Sequence, residues 1–558
     1  MLSIGPRRAS RRFLGELLTC GSCQSSLCRT YPFSRPQSLP TARSGVRWNH
    51  TVVSAEKGVK DRIQEVHNAV SNPYPRIPTD SRKISIAEFC SRYNHIEPNQ
   101  VVEEDSVVLQ GRIRSYRLAG SKLIFFDLVQ DGVKVQAMCN KRLLADVSQE
   151  KFKEFYRLLR RGDAFSITGN PHRTGRGELT LRVTELPMLL SPSLHDVPVD
   201  AQEHENSPYP RHVQFLADQQ AADTLRVRSA LIQYIRQFFI ERSFMEVNTP
   251  IIAGEAGGAT ARPFVTSATE FPEKRLSLRI APELWLKRLV VGGFDKVFEI
   301  GSSFRNEGID RTHNPEFTTC EFYQAYSNLD DLLSLTETFM SGMASHIGKF
   351  KNDIGSSLEG PDVDFTTPFR RIDFIPAMEE AIGRSLPALD SPSAEADLKN
   401  LFADLAIPLP DIPTLPRLID KLCSHYLEPQ CNNPTFIVYP PECVSPLSKS
   451  FVHPSQPEQR VAARCELFIN GREYVNAYEE ENSPFEQRRK FLEQLDYNKD
   501  TQEWGELDEA YLQALEWGLP PTGGWGCGVD RLVMLFTGMK RIGDVLPFGT
   551  LRAVTRNV

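Results

Sequence analysis

A chain of 558 residues, 40% hydrophobic and 24% charged, is long enough for roughly two to four domains and has the composition of an ordinary globular protein. No window approaches 18 uninterrupted apolar residues, so no membrane span is expected. A formal net charge of −6 excludes a general basic coat, and any contact with RNA has to come from local patches and base stacking.

Residues 1–52 read as an organellar transit peptide. The first 50 hold eight arginines, no lysine and a single acid, Glu16, with Phe13, Leu14, Leu17 and Leu18 able to form one face of a short basic helix. The eight arginines against a single acid are read as favouring the mitochondrial matrix over a plastid; a disordered basic tail is the plainer alternative. Of eleven cysteines, Cys20, Cys23 and Cys28 lie in this leader, and Cys20-x-x-Cys23 has no matching pair downstream, so no zinc site is expected. The remaining cysteines are scattered, as reduced thiols are.

Residues 53–83 form a linker whose helical stretch, Asp61–Val70, is stopped by Asn72-Pro73-Tyr74-Pro75. From 84 to 190 the pattern is β-rich: Ser106–Tyr116, Lys122–Leu128, Lys134–Cys139, Ala164–Gly169 and Glu178–Leu186, with a helix at Lys151–Arg161 before the fourth strand. Five short strands with that helix suggest an OB-type barrel, a fold that commonly binds single-stranded nucleic acid. Period two sends one of Phe125 and Phe126 to the core and the other outward, where with Arg117 and Gln136 it would make a stacking platform for unpaired bases. A plain core aromatic is the competing account. Residues 191–222 read as a hinge, broken by Pro192, Pro198, Pro208 and Pro210.

The third region, 223–558, opens with a helix over Thr224–Arg242, capped by Asp223, whose Leu231, Ile232, Ile235, Phe238 and Phe239 share a face. A strand at Phe244–Val247 runs into Asn248-Thr249-Pro250. A small-residue loop at 257–261, a strand at Leu276–Ile280 and a helix at Pro282–Val291 follow. The stretch from Phe298 to Tyr326 is a strand, a polar loop and a return strand, suited to holding Arg305 and His313 over a phosphate chain. On the return strand, Glu321 and Tyr323 share a face. Residues 328–345 read as helix. Residues 385–434 are proline-rich, yield no readable element, and read as an insertion packed on the surface.

Asn470-Gly471 between β-prone runs is a hairpin signal, pairing Ile469 with Arg472, Phe468 with Glu473, and Glu466 with Val475. Glu466 and Glu473 then lie diagonally on one face, where a hard cation such as Mg²⁺ would keep both ionised. Asn476, Tyr478 and Glu480 share the opposite face under strict alternation. Both sets line one site only if a β-bulge intervenes near Tyr474-Val475, and one is expected there. Near the end, Gly523-Gly524-Trp525-Gly526-Cys527-Gly528-Val529-Asp530-Arg531 is a glycine-spaced strand entering an apolar helix. Its glycines would let a flat ring approach, and Arg531 in the helix's first turn can reach a terminal phosphate.

The proline-ended helix-strand at Phe244–Pro250, the FRNEG hairpin and the GWGCGVDR strand-helix resemble motifs 1, 2 and 3 of class II aminoacyl-tRNA synthetases. GGATARPF, RIAPELWLKRLVVGG, FRNEGIDRTHNPEFTTCEFYQAY, NAYEEENSP and PPTGGWGCGVDRL resemble the lysyl-tRNA synthetases more narrowly, over about residues 60 to 548. The ending Val545-Leu546-Pro547-Phe548-Gly549 follows that family loosely. The resemblance implies an α+β fold, a class II antiparallel sheet flanked by helices, preceded by an OB-fold barrel that binds the anticodon. It implies a homodimer through Phe244–Pro250, and ATP-dependent attachment of L-lysine to tRNA(Lys) through a lysyl-adenylate, here for organellar translation.

Carried over residue by residue, Arg305 would grip the α-phosphate and the lysine carboxylate. Glu307 would contact adenine and Phe317 would stack on it. His313 and Asn314 would hold the outer phosphates, and Arg531 the γ-phosphate. Tyr474 and Gly528 would complete the ATP site. Glu466 and Glu473 would bind Mg²⁺. Gly258 and Glu283 would receive the α-ammonium, while Glu321, Tyr323 and Glu480 would enclose the ε-ammonium, with Asn476 and Tyr478 beside them. Arg117, Phe125 and Gln136 match the anticodon-reading positions.

Charge supports the choice of amino acid: a pocket ending in Glu321 and Glu480 repels the aspartate side chain and pairs with an ammonium. His346-Ile347-Gly348-Lys349 and Leu447-Ser448-Lys449-Ser450 echo class I signatures, but neither is complete. A paralogue that lysylates protein would lack the barrel. A non-catalytic RNA-binding relative would have lost Arg305, Glu473 or Arg531.

Overall fold

The computed structural model describes residues 49–198, 209–254, 261–499 and 507–555. Most of the expected transit peptide, and Gly258 with most of its small-residue loop, lie outside the described residues. No described helix is long and apolar enough to cross a membrane.

A helix, Asn49–Ala69, leads to the barrel, and its Arg62 is fully buried against Asp163 at 3.0 Å while donating to the Leu158 carbonyl at 2.8 Å. The barrel strands are β1 (Val107–Leu118), β2 (Leu123–Gln130), β3 (Val133–Asn140), β4 (Ala164–Arg173) and β5 (Leu179–Val183). They run in the order β1-β2-β3-β5-β4, and β4 pairs back onto β1 to close the ring. A short β6 (Met188–Ser191) pairs antiparallel with the start of β4. The helix Gln149–Leu158, capped by the Ser148 hydroxyl, buries Phe152, Phe155 and Leu158 against the barrel core.

Past the barrel, a helix spans Gln219–Ile240. Its cap is Asp218, which accepts from the Gln220 N–H at 2.8 Å, and not Asp223, which sits one turn inside. Asp223 is buried and accepts from Arg226 and Gln219 at 2.7 and 2.9 Å, so its carboxylate serves side chains rather than the helix end.

The chain then supplies β7 (Met245–Glu246), a small sheet of β8 (Ile252–Ala253), β9 (Val265–Ala268) and β10 (Phe271–Leu278), and the hairpin β11 (Lys296–Phe304) and β12 (Glu316–Ala325). After a long helix, Leu329–Asp353, come β13 (Arg370–Asp373), β14 (Thr435–Val438), the pair β15 (Ser450–His453) and β16 (Gln456–Ala462), then β17 (Arg464–Ile469), β18 (Arg472–Glu479) and β19 (Thr522–Gly528). Eight strands form one sheet ordered β13-β14-β17-β18-β19-β12-β11-β7. It is antiparallel except at its two ends, where β13–β14 and β11–β7 are parallel.

One face of the sheet carries the main core. Trp525 stacks on Phe322 at 5.3 Å, meets Phe339 edge-on at 5.1 Å, and donates its indole N–H to the Thr336 hydroxyl at 3.0 Å. The helices Gln219–Ile240 and Leu329–Asp353 cover this face. Segment 385–434 is more regular than its composition suggests. It contains helices Ala394–Asp404 and Leu415–Tyr426, whose Leu398, Phe402, Leu418 and Leu422 build a second core. Pro416 lies in the first turn of the second helix, where a missing N–H costs nothing.

Candidate active site

The sheet's other face forms the floor of a cavity of about 520 Å³. β19 lies between β12 and β18, so each cavity-facing glycine is flanked on both sides: Gly524 by Tyr323 and Tyr478, Gly526 by Glu321 and Asn476. Trp525 and Cys527 alternate to the core. A Cβ on Gly524 would overlap Glu480 Oε1 and stand 2.7 Å from Tyr323 Cε1, while one on Gly526 would touch Glu321 at 3.4 Å. The glycine spacing makes room for neighbouring side chains as well as for a ligand.

The hairpin β17–β18 turns at Asn470 and Gly471, both at positive φ (51° and 65°), as a two-residue turn requires. The expected bulge is present. Leu467 pairs with Val475 and Phe468 with Glu473, leaving Tyr474 as the extra residue. This corrects one expected pair: Glu466 faces Asn476, not Val475, because the inserted residue shifts the ladder by one.

Toward the open side stand the groups suited to phosphate. Arg305 leaves β11 beside the Phe317 ring, its guanidinium carbon 5.2 Å from the centroid, so one face of Phe317 meets Arg305. His313 is held by Asp310 at 2.8 Å, and its other ring nitrogen is 3.3 Å from Arg531 Nη2. Burial is the largest single influence on the Asp310 carboxyl and pushes it up, but hydrogen bonds from the Thr312 N–H, the His313 ring and the Thr312 hydroxyl together outweigh it, holding it at about 2. Arg531 donates to the Glu473 carbonyl at 3.0 Å. Its neighbour Asp530 pins the helix start, meeting Arg228 at 2.5 Å and accepting from the Thr318 N–H at 2.7 Å. Glu307, Asn314, Tyr474 and Gly528 also line the cavity. The Asn314 side chain donates to the Glu316 carbonyl at 2.7 Å and accepts from the Leu551 N–H at 3.0 Å, so it clips the loop to the C-terminal segment.

The closed end gathers Glu283, Glu321, Tyr323, Asn476 and Tyr478. Tyr478 donates to Glu283 Oε1 at 2.7 Å, and Tyr323 to Glu321 at 3.3 Å. Burial, reinforced by the Glu283 charge and opposed by Arg305, pushes the Glu321 carboxyl up to about 8. Glu480 lies just behind this wall, only 1% exposed. Its Oε2 contacts the ammonium of Lys287, while its Oε1 has no hydrogen-bond partner.

Glu466 and Glu473 line a second cavity that adjoins the first beneath Arg531 and His313. Burial pushes the Glu466 carboxyl up against the pull of Arg464, with the Glu473 charge adding to the rise. No group of three or more His, Cys, Asp or Glu side chains arranged to hold a metal is present among the described residues. Two carboxylates beside groups suited to phosphate fit Mg²⁺, which is usually bound by one or two carboxylates together with substrate phosphates.

On the barrel, Phe126 is buried and Phe125 is the partner turned outward; Arg117 pairs with it across β1–β2, its guanidinium 4.9 Å from the ring centroid. Gln136 is buried and donates to Glu178 at 2.8 Å, while Arg117 is exposed and Phe125 half-buried.

Three contributors escaped the sequence reading. Arg464 ties the site together, donating to Asn476 at 2.9 Å and to the Val444 carbonyl at 2.8 Å and contacting Glu466. Asp310 orients His313. Lys287 sits one helical turn from Glu283, and that i,i+4 spacing was the available signal. Leu447 and Ser448, in the fragment echoing a class I signature, line the main cavity, and Lys449 donates to Asn482 at 2.6 Å.

The profile of the family described as tRNA synthetases class II (D, K and N) matches residues 204–552, and that of the OB-fold nucleic acid binding domain matches 107–189. The chain belongs to the class II tRNA synthetases. A protein of Schizosaccharomyces pombe named lysine–tRNA ligase, mitochondrial, is 42% identical over 86% of this chain and 91% of its own length. The protein of that name from Saccharomyces cerevisiae is 34% identical over 99% of both. A lysine–tRNA ligase of Deinococcus radiodurans is 40% identical over 82% of this chain and 84% of its own. Within its class, the chain stands with the lysine–tRNA ligases.

Proposed function

We propose that the protein joins L-lysine to ATP as a lysyl-adenylate and transfers the lysyl group to tRNA(Lys). The observation that carries the amino-acid choice is the closed end of the cavity, where Glu283 and Glu321 converge and Glu480, its Oε1 without a hydrogen-bond partner, stands behind them. A second ammonium suits that end, and an aspartate carboxylate does not.

Arg305 stands where it can hold the substrate carboxylate against the α-phosphorus and stabilise the charge that develops there. Glu283 receives the α-ammonium together with Gly258. Glu321, Tyr323 and Glu480 receive the ε-ammonium, with Asn476 and Tyr478 beside them. Phe317 and Glu307 take the adenine side, His313, Arg531 and the loop fixed by Asn314 take the outer phosphates, and Tyr474 and Gly528 complete the wall. Glu466 and Glu473 would hold Mg²⁺, which when bound neutralises phosphate charge. Arg117 and Phe125, supported by Gln136, offer stacking for anticodon bases.

Domain limits follow the same reading: leader 1–52, linker 53–83, barrel 84–190, hinge 191–222 and catalytic region 223–558, with 385–434 as an insertion. The arginine-rich start and the two fungal relatives named mitochondrial support the mitochondrial matrix as the site of action. The exposed Met245 on β7, and the exposed Ile251 and Ile252 where the chain enters β8, support a homodimer, which sedimentation at the mass of two chains would test. Amino-acid-dependent exchange of pyrophosphate into ATP tests activation: lysine should support it, and aspartate and asparagine should not. Exchange with aspartate but not lysine would overturn the reading.

A further inference from the structure

Lys287 is fully buried at the closed end of the cavity, on the helix Glu283–Val291. Its ammonium lies 2.5 Å from Glu283 Oε1 and in contact with Glu480 Oε2. The rings of Tyr323, Tyr478 and Tyr511 stand around it, with centroids 5.7–5.8 Å from Nζ. This is a carboxylate and aromatic cage of the kind a free ammonium ligand would seek, already occupied by the chain itself. Arg288, next on the helix, turns elsewhere to Asp508 at 3.5 Å.

We propose that Lys287 is a positioning residue that sets the specificity of the lysine pocket. By holding one oxygen each of Glu283 and Glu480, it places a counter-charge between the two carboxylates and fixes both before substrate arrives. The pocket then offers the substrate the remaining oxygens rather than a loose, mutually repelling acidic cluster. Without an internal cation, two carboxylates this close share a proton, because like charges out of water do not both ionise. Burial pulls the Lys287 ammonium toward neutrality, but Glu283 and Glu480 outweigh it and the net shift is upward, so the cation persists. The proposal rests on the lysine-activating reading above.

The test replaces the charge with an isosteric neutral chain, Lys287→Met. The groups facing the new methionine are Glu283, Glu480, Tyr323, Tyr478 and Tyr511, with Glu321 bonded to Tyr323. The shared proton must leave when lysine binds. KM for lysine in pyrophosphate exchange should therefore rise at least about tenfold near pH 7, shrinking as pH rises, with KM for ATP little changed. Calorimetry in buffers of different ionisation enthalpy should count about one more proton released on lysine binding than in the wild type. A second variant, Lys287→Ala, leaves space for an added alkylammonium, and propylammonium should lower its lysine KM while only competing in the wild type. An unchanged lysine KM in Lys287→Met overturns the proposal. So does a loss without the extra proton and without propylammonium rescue, which would mark a packing role. Failure of the wild type itself to exchange with lysine would instead overturn the activation reading.

Discussion

Glu321 stands in the pocket beside the Glu283 charge with Tyr323 as its hydrogen-bond donor, and its carboxyl is pushed up to about 8. Below that value it carries a proton, and an ammonium docked against it expels the proton. Lysine affinity should accordingly increase with pH toward about 8 and level off above, with a proton released on binding near neutrality. Calorimetric titration across this range checks the sign; affinity that falls with pH would contradict it. Glu480→Gln breaks the contact with Lys287 and removes the charge facing the substrate. Loss of one partner in a buried pair costs about 3–5 kcal/mol, so lysine-dependent exchange should fall by about two to four orders of magnitude while ATP binding survives. Full exchange activity in this variant would remove Glu480 from the pocket's chemistry.

The strand β19 carries two kinds of residue with opposite mutational signatures. Gly524→Ala places a methyl group against Glu480 and Tyr323 and should cut kcat/KM for lysine sharply with a smaller effect on thermal stability. Trp525→Ala, one residue on, empties the stacked core beneath the sheet and should cost about 3–5 kcal/mol in denaturant unfolding. The alternation that separates them was legible in the sequence as glycines at period two, and so were the Asn470-Gly471 turn and the Tyr474 bulge. Other elements were hidden. Asp218 and Asp223 are both plausible caps, and only the tertiary use of Asp223 by Arg226 decides between them. In 385–434 the prolines masked two amphipathic helices, because a proline in a first helical turn looks in sequence like a breaker. Arg464 and Lys287 gave little sign of function because their partners, Val444, Asn476 and Glu480, come from separate strands and loops.

In the molecule as a whole, labour divides between an OB-fold barrel suited to RNA and a class II sheet suited to the chemistry. Phe125→Ala removes the half-buried ring beside Arg117 without touching the cavity. It should raise KM for tRNA about tenfold or more, since stacking on an aromatic contributes about 1–3 kcal/mol per base, and leave lysine-dependent pyrophosphate exchange unchanged. Filter binding and exchange assays on the same preparation separate the two effects. The most direct measurement of the central claim is aminoacylation: purified protein mixed with lysine, ATP, Mg²⁺ and an organellar lysine tRNA transcript. The account predicts lysyl-tRNA, with release of AMP and pyrophosphate and no charging by aspartate or asparagine. Binding of the transcript without any lysyl-tRNA or adenylate would contradict it.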